Sequence, residues 1–163
     1  MEKAVKHHTK ALDNTDLNIL AELYADARVS NKAIAEKVGL APSSCLERVK
    51  RMQQNGVITG SRLLLDFNQL GGHIQALISV RVSDHNRETV DKFQQDLLPL
   101  TEVVSVFHLG GENDFLVYVA VNDSIHLRDF VFNAITGRPE VNHVETALVY
   151  DFQVSPTLPV FKS

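Results

Sequence analysis

Residues 30–55 read SNKAIAEKVGLAPSSCLERVKRMQQN. Their apolar spacing predicts two short helices, and Gly39-Leu40-Ala41 between them predicts a tight turn. The second helix carries Ser, Glu and Arg side chains on one side. This is the pattern of a helix-turn-helix, whose second helix lies in the major groove of DNA. The stretch therefore predicts a DNA-binding module.

A further helix precedes this stretch and packs with it. Apolar residues recur at helical spacing over residues 15–25, which predicts the first helix of a three-helix unit. Ser30 or Asn31 is expected to cap the second helix, and Gly39 to end it. The third helix is expected to begin near Pro42, with residues 44–47 as a candidate capping box.

The third helix has two chemically different sides when its residues are placed at 100° each. The apolar side is expected to pack on the other helices and carries Cys45, Leu46, Val49 and Met52. The opposite side carries Ser44, Glu47, Arg48 and Arg51, with Ser43 and Lys50 at its edges. Arg pairs with guanine, Glu accepts from cytosine N4, and Ser reaches a base or a phosphate. The alternative is a solvated face on an ordinary helical bundle.

The charge of the chain is divided unevenly. Residues 1–65 hold ten Lys and Arg against seven Asp and Glu, a net charge of +3, whereas residues 66–163 hold six against thirteen, a net charge of −7. This asymmetry predicts a mildly basic module joined to an acidic one. Because attraction to phosphate depends on positive charge, a net charge of +3 gives one copy of this module only weak affinity for DNA. A dimer or larger assembly is therefore expected.

The chain has 163 residues, 44% of them apolar and 22% charged, as in ordinary folded domains. Its single cysteine, Cys45, excludes an internal disulfide and a Cys-based metal site within one subunit. No apolar run reaches the length of a membrane span, and the N-terminus lacks the apolar core of a signal peptide. We expect no membrane partner, no metal and no cofactor, and a cytoplasmic location.

The segment after the third helix connects two modules. Residues 57–66, VITGSRLLLD, resemble a short strand or wing in which Arg62 either touches phosphate or is simply exposed. Residues 66–73 contain paired glycines and indicate a hinge. The predicted division is a DNA-binding domain over residues 1–60, a linker strand over 61–72, and a second domain over 73–163.

The second domain is predicted to have the order β-α-β-β-α-β, two similar halves joined between Gly110 and Asp114. This order predicts a ferredoxin-like sheet with both helices on one face, and an α+β protein overall. In the strand DFLVYVAV both alternating sets of side chains are apolar. A sheet face open to water should be polar, and the face away from the helices is apolar here. We therefore expect a second sheet to cover this apolar face, through dimerisation of this domain.

The loop LGGENDF, residues 109–115, is a second candidate site. The amides of Gly110 and Gly111 can meet a carboxylate, and Glu112 and Asp114 can accept from an ammonium group. Those are the two ends of an amino acid. The alternative is an ordinary tight connection between two strands.

Five segments occur in order along nearly the full chain: LDNTDLNIL, ARVSNKAIAEKVGLAPSSCLERVKRM, GVITGSRLLLD, LGGENDFLVYV and SPTLPV. In this combination the chain resembles the Lrp/AsnC, or feast/famine, transcription regulators. The resemblance implies a winged helix-turn-helix followed by a ferredoxin-like βαββαβ ligand-sensing domain. It also implies dimers that often assemble into tetramers or octamers, and an amino-acid effector bound between sensing domains. The sequence departs from the family at Ala41 and Ser44, where serine and proline are usual; the first change removes a helix cap.

The resemblance and the residue chemistry together give two candidate sites. The DNA-binding candidates are Asn31, Lys32, Ser43, Ser44, Glu47, Arg48, Lys50, Arg51 and Arg62. The effector-binding candidates are Gly110, Gly111, Glu112, Asn113, Asp114 and, by resemblance alone, Thr146.

The hypothesis is a sequence-specific DNA-binding transcriptional regulator that responds to a small amino acid. One alternative is an architectural DNA-binding protein without an effector. Another is an enzyme, because some haem-pathway decarboxylases resemble this architecture. Five histidines of the second domain are scattered and no nucleophile-base pair is visible, so no catalytic residue is assigned.

Overall fold

The computed structural model describes residues 12–83 and 86–160. The chain divides into two units, one ending at Leu63 and rejoined by the segment from Gln153 onward, the other spanning Leu64–Phe152. The boundary between the units lies within the expected linker of residues 61–72. The expected division differs in one respect, because the closing segment groups with the first unit and not with the second.

The first unit contains three helices, α1 (Asn14–Ala25), α2 (Asn31–Lys37) and α3 (Pro42–Gln54). The Ser30 side chain caps α2, accepting from the Ala33 amide at 3.1 Å, as the sequence predicts. Gly39 adopts φ +69°, the left-handed conformation that ends a helix at little cost to glycine.

The start of α3 differs from the expectation. Ala41 is its N-cap residue and contributes no side-chain hydrogen bond, so the predicted capping box at residues 44–47 is wrong. The helix begins there because Pro42 fixes its backbone angle for the first helical position. Because the Ala41 side chain cannot accept a hydrogen bond, the first backbone amides of α3 have no side-chain cap.

A small apolar core joins the three helices. Its fully buried members are Ile19, Ile34, Ala35, Cys45 and Met52. Leu46, which was expected to pack here, is instead 43% exposed. Burial raises the pKa of the Cys45 thiol, so the residue acts as a small apolar side chain and not as a reactive thiolate.

The expected strand over residues 57–66 is absent from the single chain. These residues have no assigned strand, and a single turn of 3-10 helix follows at Phe67–Leu70. A strand needs a hydrogen-bonded neighbour. Every strand of the described residues lies instead between Ile74 and Leu148.

The second unit has the predicted element order. It consists of β1 (Ile74–Val82), α4 (Arg87–Leu97), β2 (Val103–His108), β3 (Phe115–Val121), α5 (Ser124–Phe130) and β4 (Val141–Leu148). The strands pair antiparallel in the order β2-β3-β1-β4. This is the ferredoxin-like arrangement expected from the sequence.

Both helices cover the same face of the sheet. Alternate residues of β1 and β3 are fully buried beneath them, and the Phe93 ring of α4 stacks on Phe115 with centroids 4.4 Å apart. Leu127 and Phe130 of α5 complete this core. Burying an aromatic side chain in such a core stabilises the fold by about 3–5 kcal/mol relative to alanine.

The end of α5 was not predicted. The chain continues through a π-helical turn over Val131–Thr136, in which the Gly137 amide donates to the Phe132 carbonyl five residues back at 2.9 Å. Arg138 donates from Nε to the Ala134 carbonyl at 2.7 Å. It thereby satisfies a backbone carbonyl that the π-helical turn leaves without an amide donor. Turns of this kind are frequent near functional sites.

Candidate nucleic-acid interface and effector site

The outer side of α3 is an open surface. It is lined by Ser43, Ser44, Leu46, Glu47, Arg48, Lys50, Arg51 and Gln54. Six of the predicted DNA-binding residues therefore lie together on one helix. Leu46 and Gln54 were not among the candidates. An exposed leucine on this face has the chemistry to contact a thymine methyl, and a glutamine pairs with adenine.

Arg48 and Arg51 are already engaged inside the first unit. Arg48 donates from Nη1 to Asp13 Oδ2 at 2.7 Å and to Asp16 Oδ1 at 2.8 Å. Arg51 donates from Nη2 to both oxygens of Asp16, at 2.8 and 2.7 Å. The Asp16 side chain is only 2% exposed. These arginines therefore join the start of α1 to α3.

The electrostatics of the cluster follow from these contacts. The hydrogen bond from Arg48 lowers the pKa of the Asp13 carboxyl, and the same contact raises the pKa of Arg48. Asp13 also caps α1, accepting from the Asp16 amide at 2.8 Å. Two carboxylates at the first turn of α1 thus compensate the two arginines of α3.

Helix geometry explains why sequence reasoning placed Arg48 too far outward. At 100° per residue, Arg48 lies only about 50° from the centre of the buried side, marked by Cys45 and Met52. The residues opposite that centre are Ser43, Glu47, Lys50 and Gln54. Ser43 and Lys50 are therefore central to the exposed face and not at its edges.

Three other DNA-binding candidates lie outside α3. Asn31 donates from Nδ2 to the Pro42 carbonyl at 2.7 Å, so it ties the start of α2 to the start of α3. Lys32 and Arg62 are exposed. Within the described residues these two side chains have no hydrogen bond or ion pair, which leaves both available to phosphate.

The loop after β2 is anchored to the end of β1. Arg81 donates from Nε to the Glu112 carbonyl at 2.8 Å and from Nη2 to Glu112 Oε1 at 2.7 Å. Asp114 accepts from the Val82 amide at 2.8 Å. The two predicted effector carboxylates therefore also have contacts within the chain. Asn113 Oδ1 is buried and has no hydrogen-bond partner among the described residues, so it is an acceptor still to be satisfied.

Thr146 lies elsewhere in the same unit. It pairs with Ile78 on the side of the sheet that faces the helices. There it lines a cavity of about 430 Å³ together with Ser124, Leu127, Arg128, Val131, Phe132 and Thr136. None of residues 110–114 lines this cavity. The structure of one chain thus separates Thr146 from the glycine loop.

The described residues contain no group of His, Cys, Asp or Glu side chains arranged to hold a metal ion. No helix among residues 12–83 and 86–160 is long and apolar enough to span a membrane.

The two units match two known families. Residues 12–59 match the winged helix-turn-helix DNA-binding family, and residues 75–156 match the Lrp/AsnC ligand binding domain. A DNA-reading module followed by a ligand-binding domain defines the class as transcriptional regulators.

Similar proteins agree with this class. The chain is 37% identical over 140 residues to the HTH-type transcriptional regulator AldR of Mycolicibacterium smegmatis, covering 86% of this chain and 82% of that one. It is 31% identical over 151 residues to the leucine-responsive regulatory protein of Haemophilus influenzae, covering 93% and 91%. The structure resembles a transcriptional regulator of Neisseria meningitidis crystallised with L-Met, with a TM-score of 0.81 at 28% identity, covering 91% and 97%.

The chain belongs to the Lrp/AsnC family of transcriptional regulators. It is a DNA-binding regulator with a ligand-binding domain.

Proposed function

We propose that this regulator acts as a homodimer or larger assembly whose binding to double-stranded DNA is modulated by a small apolar amino acid. The observation that carries the proposal is the cavity beside Thr146. Its walls are largely apolar, and Thr136 and Thr146 supply hydroxyl groups. Arg128, whose pair with Asp129 at 2.8 Å is exposed, supplies a guanidinium that can turn to a carboxylate. The L-Met bound to the Neisseria regulator supports an effector of this chemistry.

The glycine loop supplies the second half of the proposed effector site. Within one chain, residues 110–114 do not reach the Thr146 cavity, so we propose that the loop of a neighbouring copy completes it. The unpartnered Asn113 Oδ1 supports this assignment, because an ammonium group would satisfy it. Gly110 and Gly111 are exposed with open space around them, which leaves room for a ligand or a second chain.

The open face of the sheet supports the dimer. Opposed residues share a face, and the row formed by Tyr118, Leu77 and Ala147 is apolar. In the next row Phe107 lies beside Leu116 and is 50% exposed. Tyr118 itself is only 8% exposed and its ring contacts that of Phe152, so Phe152 covers part of this face. A second copy would bury the apolar side chains that stay exposed, such as Phe107.

A second copy also supplies what DNA binding needs. One DNA-binding module carries a net charge of only +3. Two modules would double the phosphate contacts and present two reading helices to two half-sites. We propose that Asn31, Lys32 and Arg62 lie at the edges of that interface, near the backbone, with α3 in the groove.

The proposal includes no catalytic activity, no cofactor and no membrane partner, and places the protein in the cytoplasm with its DNA. Assembly beyond the dimer, to a tetramer or octamer, is part of the proposal because the effector cavity and the dimer face lie on opposite sides of the sheet. One side of the sheet can then form the dimer, while the side with the effector cavity contacts further copies.

A thermal-shift screen against the twenty amino acids tests the effector. A ligand that binds the folded protein selectively raises its melting temperature. We expect a small apolar amino acid to do so, and Thr146→Val with Phe132→Ala to reduce the shift. Ser155→Ala, outside the cavity, is the matched control. No shift with any amino acid would favour the architectural DNA-binding alternative.

A further inference from the structure

We propose that Asp16 is the positioning residue of the DNA-reading helix, and that Glu47, Lys50 and Gln54 read the bases in place of Arg48 and Arg51. The inference rests on the DNA-binding function of the family and divides the charged residues of α3 into two groups. One group fixes the helix, and the other faces the groove.

Asp16 is the buried end of the first group. Both of its oxygens accept hydrogen bonds: Oδ1 from Arg48 and Arg51, and Oδ2 from Arg51 and, at 3.3 Å, from the Asp13 amide. A carboxylate that is 2% exposed keeps its charge only if cations and amides compensate it. Two arginines from successive turns of α3 do so, and they fix that helix against α1.

These contacts with Asp13 and Asp16 decide whether the two arginines fix the helix or read bases. To reach a guanine, Arg48 would have to leave Asp13 and Asp16, and Arg51 would have to leave Asp16. Asp16 is 2% exposed, whereas Arg48 and Arg51 are 27% and 37% exposed, so the buried member of the cluster is the carboxylate. Withdrawing both arginines would leave that buried charge uncompensated, which costs more than a bidentate base contact returns. The arginines therefore remain on Asp16 when α3 enters the groove, and their remaining exposed edges meet phosphate at most.

The second group has no such engagement. Glu47, Lys50 and Gln54 are exposed, lie opposite the buried side of α3, and make no side-chain hydrogen bond or ion pair within the described chain. Gln54 offers an amide for adenine N6 and N7, and Glu47 offers an acceptor for cytosine N4. Lys50, which lies between them, can donate to guanine or to a phosphate of the DNA backbone. This trio presents three different chemistries to successive base pairs.

The test is selection of preferred sequences from a randomised duplex library by the full-length protein and its variants. Glu47→Gln is expected to change the preferred base at one position, and Gln54→Ala to relax the preference at another. Arg48→Lys and Arg51→Lys are expected to leave every preferred base unchanged while lowering the melting temperature. A base preference that moves with either arginine would overturn the inference, as would unchanged preferences in both Glu47→Gln and Gln54→Ala.

Asp16→Asn tests the positioning role through a readout that folding alone does not move. Freed arginines can contact phosphate, and each new phosphate contact steepens the dependence of log Kd on log salt by about 0.9. We expect a slope steeper by about 1 to 2 and a specific-to-nonspecific ratio reduced by about tenfold, with the same preferred sequence. An unchanged slope and ratio would overturn the role of Asp16.

Should Asp16→Asn fail to fold, the slope is measured on the double variant Arg48→Lys/Arg51→Lys. Its cations still face the Asp16 carboxylate, so we expect the wild-type slope, and a steeper slope would overturn the role of Asp16. A wild-type protein that selects no sequence at all would overturn the family function and this inference together. Selection through Arg48 or Arg51 would overturn this inference alone.

Discussion

The guanidinium of Arg81 holds Glu112 at two points, its backbone carbonyl at 2.8 Å and its carboxylate at 2.7 Å. Arg81 lies near the end of β1, so this contact fixes the glycine loop to the sheet. The side chain of Glu112 is otherwise 83% exposed. These two contacts fix the conformation of the glycine loop in the absence of ligand.

Arg81→Gln should therefore weaken the effector response without unfolding the domain. An exposed ion pair contributes about 0–1 kcal/mol to stability, so the melting temperature without ligand should change little. The ligand-induced shift should fall, because the loop would have to be ordered on binding. Arg87→Gln, which removes the exposed 3.5 Å pair with Asp91, is the matched control. An equal ligand response in both variants would contradict the role of the loop.

Arg138 should be a major contributor to the stability of the second unit. It donates to the Ala134 carbonyl and to Asp96 at 3.0 Å, and its guanidinium carbon lies 5.4 Å from the centroid of the Phe93 ring. Arg138→Ala is expected to cost about 2–3 kcal/mol of unfolding free energy, because it leaves a carbonyl and a carboxylate unpaired and removes a cation–π contact. Urea denaturation measures it. Arg28→Ala, at an exposed pair with Asp26, should cost less than about 0.5 kcal/mol.

Acid should loosen the first unit through Asp13. Its pKa is lowered in the folded protein by the hydrogen bond from Arg48, so its ionised form is favoured by folding. The stability it contributes is present above its unfolded pKa of about 3.8 and is lost as the pH falls through the lower folded value. Asp13→Asn should therefore flatten the fall in melting temperature as the pH drops from about 5 to below the unfolded pKa of about 3.8. A parallel fall in both proteins would show that other carboxylates carry the effect.

The dimer face makes a separate prediction. Leu77→Lys places a charge in the centre of the apolar row and should convert the dimer to a monomer, since an unpaired charge cannot be buried cheaply. His143→Lys, at the polar end of the same face opposite Arg81, should leave the dimer intact. Light scattering coupled to size exclusion measures the mass of each. A dimer that survives Leu77→Lys would place the interface elsewhere.

Much of the fold could be predicted because its signals are local. The cap at Ser30, the proline at position 42 and the alternation in β1 and β3 depend on residues close in sequence. The contacts of Arg48 and Arg51 could not be predicted in the same way. Their partner Asp16 lies more than thirty residues earlier, and helical periodicity gives no information about a pairing across that distance.

The proposed effector site could be derived from the sequence only in part, for a similar reason. The glycine loop has a local signature, but the cavity beside Thr146 depends on the π-helical turn at 131–136 and on the strand register that places Thr146 beside Ile78. Neither follows from periodicity. Phe132 and Arg128, which line the cavity, had no signal in the sequence that distinguished them from ordinary residues of an amphipathic helix.

The central claim is that an amino acid bound by the second unit changes DNA binding by the first. The most direct measurement is the Kd for the selected operator, by fluorescence anisotropy, with and without a saturating concentration of the amino acid found in the thermal screen. We expect a change of about 5- to 150-fold, the usual range of allosteric coupling, and its loss in Thr146→Val. An identical Kd with and without every one of the twenty amino acids would contradict the claim.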